Sequence, residues 1–192
     1  WAVVAPPLAY DTREGQPASI TGWVIGDLLQ LLSPERRTRH ALVQTPYWVV
    51  DFILDQTLVP AAAEFRDEPL LTVIDPCCGT GHFLIRAVDG LWQWYTTGTL
   101  NPRRITSQPT ATGGRIWTPA EAIRRVRVSA DGVDIDPLTA AVARLRLTVY
   151  LGPLMAKAGL LPEPLRLKQI PAWVAPRIGV GDALLLGKTY KD

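Results

Sequence analysis

The fold is decided by residues 70–84, which read LLTVIDPCCGTGHFL. The first five are apolar or β-branched, as in a short buried strand, and the run halts at Asp75-Pro76. The turn Gly79–Gly81 contains two glycines, which tolerate tight backbone conformations, and His82–Tyr95 is apolar at helical spacing. The order of strand, glycine turn and helix predicts the first unit of an α/β domain.

A second unit of the same order follows downstream. Val126–Ile135 has the composition of a strand that ends near Asp134, and Pro137–Tyr150 is apolar at helical spacing. A third strand is predicted at Arg177–Val180, after a proline-rich connection. Strands that alternate with helices indicate a doubly wound α/β domain with a mainly parallel sheet.

The segment between the two units has no hydrophobic period. Thr96–Trp117 is polar, contains several Gly and Pro residues, and predicts a long loop. Thr118–Glu121 reads Thr-Pro-Ala-Glu, which is a capping box with proline at the first helical position. It predicts a short helix that ends at about Val126.

The amino-terminal part of the chain is expected to be separate. Residues 1–44 contain an irregular lead-in and one predicted helix, Ile20–Leu32. A second helix is predicted to begin at Thr45-Pro46, with Thr45 as its N-cap. We therefore divide the chain into an amino-terminal segment, 1–44, and an α/β domain, 45–192.

Composition narrows the class of protein. The 192 residues are 47% hydrophobic and 20% charged, which allows one sizeable core. The net charge of +2 gives no overall basic field, and neither a membrane span nor a secretory signal is found, so we expect a soluble, cytoplasmic protein without a membrane partner. Cys77 and Cys78 are adjacent, which excludes a disulfide framework and predicts no metal site.

Three carboxylates stand at the ends of the three predicted strands: Asp75, Asp134 and Asp182. Ligands of open parallel sheets bind at the carboxyl ends of the strands, and carboxylates accept hydrogen bonds from the hydroxyls and the amine of a nucleoside. Singly, Asp134 could be a helix cap and Asp182 a turn residue. Together with the glycine turn they predict a nucleoside site.

The spacing does not favour a dinucleotide. The glycine motif of dinucleotide-binding folds, G-x-G-x-x-G, has a third glycine, where this chain has Leu84. It is followed by an acidic residue about 20 positions further on. Here Asp134 follows Asp75 by 59 positions. A cofactor containing pyrophosphate is therefore disfavoured.

Asp75–Leu84, which reads DPCCGTGHFL, closely resembles motif I, D-P-x-C-G-S-G-x-F-L, of the adenine-N6 DNA methyltransferases that place their cofactor region first. Gln44–Val49 is similar to motif X of that family, Gly132–Pro137 with the helix Ala140–Leu147 to motif II, and Gly181–Leu184 to motif III. The resemblance implies a truncated Rossmann-like methyltransferase fold that binds S-adenosyl-L-methionine.

The resemblance also implies roles for single residues. The Asp75–Gly81 loop would wrap the methionine part of the cofactor, Asp134 would hold the ribose hydroxyls, and Asp182 would accept from the adenine amine. Ile135 would pack on the adenine ring, and Phe83 would support the loop. The full implied cofactor set is Thr45, Pro46, Asp75, Pro76, Cys77, Gly79, Thr80, Gly81, Phe83, Asp134, Ile135 and Asp182.

The match has departures. Thr45 and Pro46 would line the methionine carboxylate, but the Gly and aromatic pair expected before them is missing. Cys77 stands where the family usually has a small residue, and Thr80 replaces Ser. These differences concern the affinity for the cofactor rather than the assignment.

The catalytic motif of the family, Asn or Asp followed by Pro-Pro and an aromatic residue, is not found. Ala5–Leu8, Asn101–Arg103 and Asp136–Leu138 each lack part of it. In the family order this motif follows the third strand, so we expect it beyond Asp192, in a longer protein that does not begin at Trp1. We therefore assign no catalytic residue here and expect this fragment alone to be inactive.

The implied activity is site-specific methylation of the N6 amine of adenine in double-stranded DNA. Its partners would be DNA and the subunits of a restriction-modification or phage-defence system. Contacts with DNA are expected outside this chain, because its basic clusters read as solvated helix faces. Two alternatives stay open: a methyltransferase of the same fold that acts on RNA or a protein amide, and a non-catalytic cofactor-binding subunit or remnant.

Overall fold

The computed structural model describes residues 45–105, 107–162, 174 and 177–184, and the predicted helix Ile20–Leu32 lies outside them. In chain order these residues form α1 (Tyr47–Glu64), β1 (Val73–Asp75), α2 (His82–Thr97), β2 (Thr99–Leu100), β3 (Ala111–Thr112), α3 (Pro119–Ser129), β4 (Ala130–Asp134), α4 (Pro137–Lys157) and β5 (Arg177–Val180). The mixed α/β class is confirmed in this part of the chain.

The strands β1, β4 and β5 form a parallel sheet in that order. Asp75 lies opposite Gly132, and Gly132 lies opposite Ile178. Parallel neighbours need a crossover connection, which α2 and α3 supply between β1 and β4, and α4 supplies between β4 and β5. The carboxyl ends of all three strands therefore lie along one side of the sheet, which we call the carboxyl edge. The arrangement is compatible with a truncated Rossmann-like fold.

Helices and sheet meet in one apolar core. Leu84 and Leu91 of α2, Ile123 of α3 and Leu147 of α4 are almost fully buried in it. The closest approach is at Gly132, where a Cβ atom would lie 2.7 Å from Leu84 Cδ1. A larger residue at this position would therefore require the side chains of Leu84 and Ile178 to shift.

The first strand is shorter and more exposed than its sequence predicts. A buried strand over residues 70–74 is wrong, because the ladder is confined to Val73–Asp75 and Ile74 is 65% exposed. Among the described residues β1 is an edge strand, and successive side chains of a strand point to opposite faces. An unbroken apolar run does not reveal that one of its faces is open.

The second strand begins four residues later than predicted. Thr118 is confirmed as the N-cap, since its hydroxyl accepts the Glu121 N–H at 3.3 Å, but α3 continues to Ser129 rather than ending at Val126. Val126 is fully buried on the face of α3 that packs into the core. Packing of this helical face overrides the β preference of the valines.

The predicted loop Thr96–Trp117 contains a short antiparallel pair, in which Thr99 lies opposite Thr112. Its far end is tied to α1 by Asp55, which is 1% exposed and accepts the N–H groups of residues 103–105 at 2.6–2.9 Å. The loop prediction is wrong for the paired residues. Contacts across the fold order this segment, and a search for periodicity does not detect them.

Two helix boundaries also differ from the predicted ones. Pro46 rather than Thr45 is the N-cap of α1, because its carbonyl accepts the Val49 and Val50 N–H groups. Helix α4 begins at Pro137 as predicted but extends well past Tyr150. Within the described residues no helix is both long and apolar enough to cross a bilayer.

Candidate functional site

The connection between β1 and α2, residues 76–81, lies at the carboxyl edge and is called the glycine loop below. Gly79 and Gly81 have φ angles of +53° and +84°, which side-chain-bearing residues rarely adopt. A Cβ atom on Gly79 would meet nothing within 4 Å, whereas one on Gly81 would lie 3.4 Å from the Cβ of Ala143 in α4. The loop is therefore packed on α4 at Gly81 and open to an approaching molecule at Gly79.

Asp134, the last residue of β4, organises the glycine loop. Its Oδ2 atom accepts the Gly79 N–H at 2.9 Å, and its Oδ1 atom accepts the Asp136 N–H at 2.9 Å. Each oxygen of an ionised carboxylate has a second acceptor position, so the half-buried Asp134 can still bind hydroxyl groups of a ligand.

Asp75 brings a second carboxylate to the same edge. Its Oδ1 atom accepts the Cys77 N–H at 3.1 Å. Burial raises the pKa of Asp75, the hydrogen bond from Cys77 opposes that rise, and the charge of Asp134 adds to it. The charge of Asp134 thus acts on Asp75, and two neighbouring carboxylates favour hydrogen-bond donors and cations over phosphate groups at this edge.

The ends of β4 and β5 are linked, which brings the third predicted carboxylate near the others. The Gly181 N–H donates to the carbonyl of Asp134 at 2.9 Å. Asp182 follows directly, is half-buried, and accepts the Leu184 N–H at 2.9 Å. Ile135, directly after Asp134, is 58% exposed and offers an apolar surface at this edge.

The start of α1 lies beside the start of α2. The ring of Tyr47 is 5.8 Å from that of His82, the first residue after the glycine loop. Thr45 and Pro46 precede Tyr47 and are exposed. The structure thus brings these two predicted residues to the same side of the fold as the glycine loop.

The remaining predicted residues differ in accessibility. Pro76 and Cys77 are exposed, Phe83 is half-buried and packs against the core, and Thr80 is 1% exposed. The Thr80 hydroxyl points into the protein, where it accepts a hydrogen bond from Arg146. Of these residues Pro76 and Cys77 are therefore the ones that offer surface to a ligand.

Arg146 is the residue near this site that the sequence analysis missed. It lies in α4 and is fully buried, and its Nη1 atom donates to both the carbonyl and the hydroxyl oxygen of Thr80 at 2.6 Å. The sequence does contain a signal for it, because Arg146 interrupts the mostly apolar stretch Ala140–Val149. A charged side chain on the buried face of a helix needs hydrogen-bond acceptors, which predicts a buried contact for this arginine.

Cys78 has a structural position in the loop. Its N–H donates to the carbonyl of Val133 at 2.9 Å, which ties the start of the loop to β4. Burial, followed by the charges of Asp75 and Asp134, raises the pKa of its thiol to about 12. A thiol held protonated is a poor nucleophile. In the described part of the chain no group of three His, Cys, Asp or Glu residues is placed to hold a metal ion.

These features define the class of site. A parallel sheet carries acceptors at its carboxyl edge, a glycine loop leaves open space beside its backbone, and an exposed apolar side chain lies next to them. Such a set fits a nucleoside that carries hydroxyl and amine donors, and its negative charge fits a cationic group better than a pyrophosphate.

Comparison with known proteins leads to a particular relative. The chain is 39% identical over 146 residues to the "Adenine-specific methyltransferase PglX" of Streptomyces coelicolor (strain ATCC BAA-471 / A3(2) / M145). The match covers 74% of this chain and 10% of the relative, so the chain spans about a tenth of the length of that protein. No protein-family model and no solved structure matches the chain. The similarity supports a methyltransferase family.

Proposed function

We propose that this chain forms the cofactor-binding part of a larger S-adenosyl-L-methionine-dependent methyltransferase that acts on the N6 amine of adenine in double-stranded DNA. The observation that carries the proposal is the closure of the glycine loop by Asp134 beside Asp75, at the carboxyl edge of the sheet. The name of the PglX relative and the motif I resemblance of residues 75–84 support the same class.

Bound S-adenosyl-L-methionine supplies an electrophilic methyl group on a sulfonium ion. The residues of this chain bind and orient it. The open backbone at Gly79 takes the methionine part, with Pro76 and Cys77 beside it. The free acceptor positions of Asp134 take the ribose hydroxyls, and Ile135 offers its exposed side chain to the adenine ring.

The electrostatics of the edge select the charge of the cofactor. The pKa of Asp75 is raised by burial and further by the charge of Asp134, and a nearby cation relieves the repulsion between the two carboxylates. A sulfonium ion or the ammonium group of methionine does so, whereas a phosphate adds to the repulsion. This argument agrees with the disfavoured dinucleotide spacing.

Methyl transfer needs further groups, which hold the target adenine and accept its amine hydrogens. We assign these groups, together with most contacts to DNA and to the subunits of a restriction-modification or defence system, to parts of the whole protein outside this chain. The role of this chain is to bind the cofactor and to present it.

Calorimetric titration with S-adenosylhomocysteine tests the cofactor site. We expect saturable binding by the wild-type chain and a loss of about tenfold or more in Asp134→Asn, because an amide cannot accept at both positions. Asp131→Asn is the matched control, since Asp131 lies in the same strand, pairs with Arg177 at 2.6 Å and is partly exposed. The affinity of Asp131→Asn for S-adenosylhomocysteine should stay within about twofold of wild type, because the change removes only a surface ion pair.

The ligand itself provides a second control. Asp134 also holds the glycine loop, so a weaker affinity in Asp134→Asn could come from the loop alone. The 2′-deoxy analogue of S-adenosylhomocysteine separates the two effects: wild type should bind it more weakly than the parent, and Asp134→Asn should discriminate less between them. A folded wild-type chain that binds neither compound contradicts the proposal. For the whole protein, methyl label found in RNA or protein, and not in N6-methyladenine of duplex DNA, would contradict the choice of substrate.

A further inference from the structure

Arg146 is the most deeply buried charged side chain that contacts the glycine loop. It projects from the middle of α4 and has no exposed surface. Its Nη1 atom donates to two oxygens of one residue, the carbonyl and the hydroxyl of Thr80, each at 2.6 Å. Hydrogen bonds from a charged donor are stronger than neutral ones, so this contact holds the peptide group between residues 80 and 81.

The contact belongs to a row of three attachments. The Gly79 N–H is held by the carboxylate of Asp134, Thr80 by Arg146, and Gly81 packs against Ala143. Ala143 and Arg146 are three residues apart and so lie on one face of α4. Three successive residues of the loop are therefore fixed by the single unit of β4 and α4.

His82 closes the same cluster. Its Nδ1 atom lies 3.2 Å from Arg146 Nη1 and 3.4 Å from the hydroxyl of Thr80. Burial and then the charge of Arg146 lower the pKa of His82 to about 3, so the ring is neutral at physiological pH. A neutral His82 ring with Nδ1 as acceptor adds no second positive charge next to the guanidinium of Arg146. The ring therefore does not change its charge near physiological pH.

We propose that Arg146 is a positioning residue for the cofactor: by holding Thr80 it keeps the glycine loop in the conformation that leaves the backbone of Gly79 open to the ligand. This inference rests on the proposed function. Arg146 itself is buried behind the loop and does not touch the cofactor; it acts through the loop.

The test compares two arginines of α4 in the 192-residue chain. Arg146→Lys keeps the charge, but its side chain is one bond shorter and does not reach the position of Nη1, which donates both hydrogen bonds to Thr80. Arg146→Met removes the charge. The matched controls are Arg144→Lys and Arg144→Met, because Arg144 lies two residues away and also donates to a backbone carbonyl, that of Ile178, with a 2.9 Å bond from Nε. The affinity for S-adenosylhomocysteine is measured by calorimetry, and the urea midpoint gives the stability of each variant.

A second readout needs no ligand. The Gly81 N–H donates to the Cys78 carbonyl at 2.8 Å within the loop, so its hydrogen exchange reports the loop conformation. We expect Arg146→Lys to exchange this amide faster and to bind S-adenosylhomocysteine about tenfold more weakly, as for the loss of a charged hydrogen bond. The Arg144 variants should match wild type in both readouts.

The outcomes separate the two proposals. If wild type binds S-adenosylhomocysteine and Arg146→Lys binds it equally well, with unchanged exchange at Gly81, Arg146 has only a structural role and the inference is overturned while the proposed function stands. If folded wild type does not bind, both fall. Should Arg146→Met not fold, Thr80→Val takes its place: it removes one of the two acceptors, and adding Arg146→Lys to it should cost less affinity than Arg146→Lys costs in wild type.

Discussion

Tyr95→Phe should lower the free energy of unfolding by about 2 to 3 kcal/mol through the loss of one oxygen atom. Tyr95 is 2% exposed, and its hydroxyl accepts the N–H of Leu71 at 2.7 Å and lies 3.0 Å from the Ser129 hydroxyl. This oxygen joins the lead-in of β1, helix α2 and the end of α3. Phenylalanine fills nearly the same volume, so the change creates no large cavity.

The magnitude follows from the groups left without partners. The buried Leu71 N–H loses its acceptor, and leaving such a group unpaired costs about 1 to 3 kcal/mol. Ser129 loses less, because its hydroxyl can rotate towards a carbonyl of its own helix. In Ser129→Ala the Tyr95 hydroxyl can still donate to the Leu71 carbonyl, which lies 3.4 Å away. We therefore expect that variant to lose about 1 kcal/mol or less of unfolding free energy.

Urea unfolding followed by circular dichroism measures these losses, provided that the slope of the transition is the same in every variant. The double variant should be less destabilised than the sum of the single ones, because both remove the same contact. A Tyr95→Phe midpoint equal to that of wild type would refute the reasoning, since it would mean that Leu71 has another acceptor.

The remaining predictions concern pH and the β2–β3 segment. The folded-state pKa of His82, about 3, lies below its ordinary value of 6.5, so the stability that His82 contributes is present above pH 6.5 and is lost as pH falls towards 3. In His82→Gln, whose side chain does not titrate, the urea midpoint should depend less on pH over that range than in wild type. Parallel pH profiles of the midpoint in wild type and variant would count against a buried neutral ring. Asp55→Ala should lower the free energy of unfolding by about 2 kcal/mol, because three N–H groups of residues 103–105 lose their acceptor. Its affinity for S-adenosylhomocysteine should stay that of wild type, and a large loss of affinity would show that Asp55 acts on the cofactor site.

Local signals predicted several elements closely. The helix after the glycine loop, the strand Arg177–Val180 and the N-cap at Thr118 appear where the pattern put them. Each depends on residues near in sequence: apolar spacing for the helix, the β-branched Ile178 and Val180 just before the turn Gly181-Asp182 for the strand, and a side chain that reaches a backbone N–H three residues on. Asp134 was placed at a strand end for the same reason.

The misses share a different cause. The exposure of Ile74, the helical state of Val126 and the pairing of Thr99 with Thr112 depend on which element packs alongside. An apolar run reads the same on an edge strand as on a central one, and valine fits a buried helix face as well as a strand. The secondary structure and the exposure of such residues are decided by neighbours that are distant in sequence.

The sequence by itself determined the α/β order, the glycine loop and the carboxylates that end its strands, because these depend on periodicity, turn chemistry and residue type. Only the tertiary structure decided how the site is held. Asp134 closes the loop at Gly79 across 55 positions of sequence, and Arg146 holds Thr80 across 66. Both contacts exist because parallel strands bring their carboxyl ends to one edge and because the buried face of α4 packs beneath the glycine loop. Local sequence patterns do not predict these contacts, since they join residues that are distant in sequence.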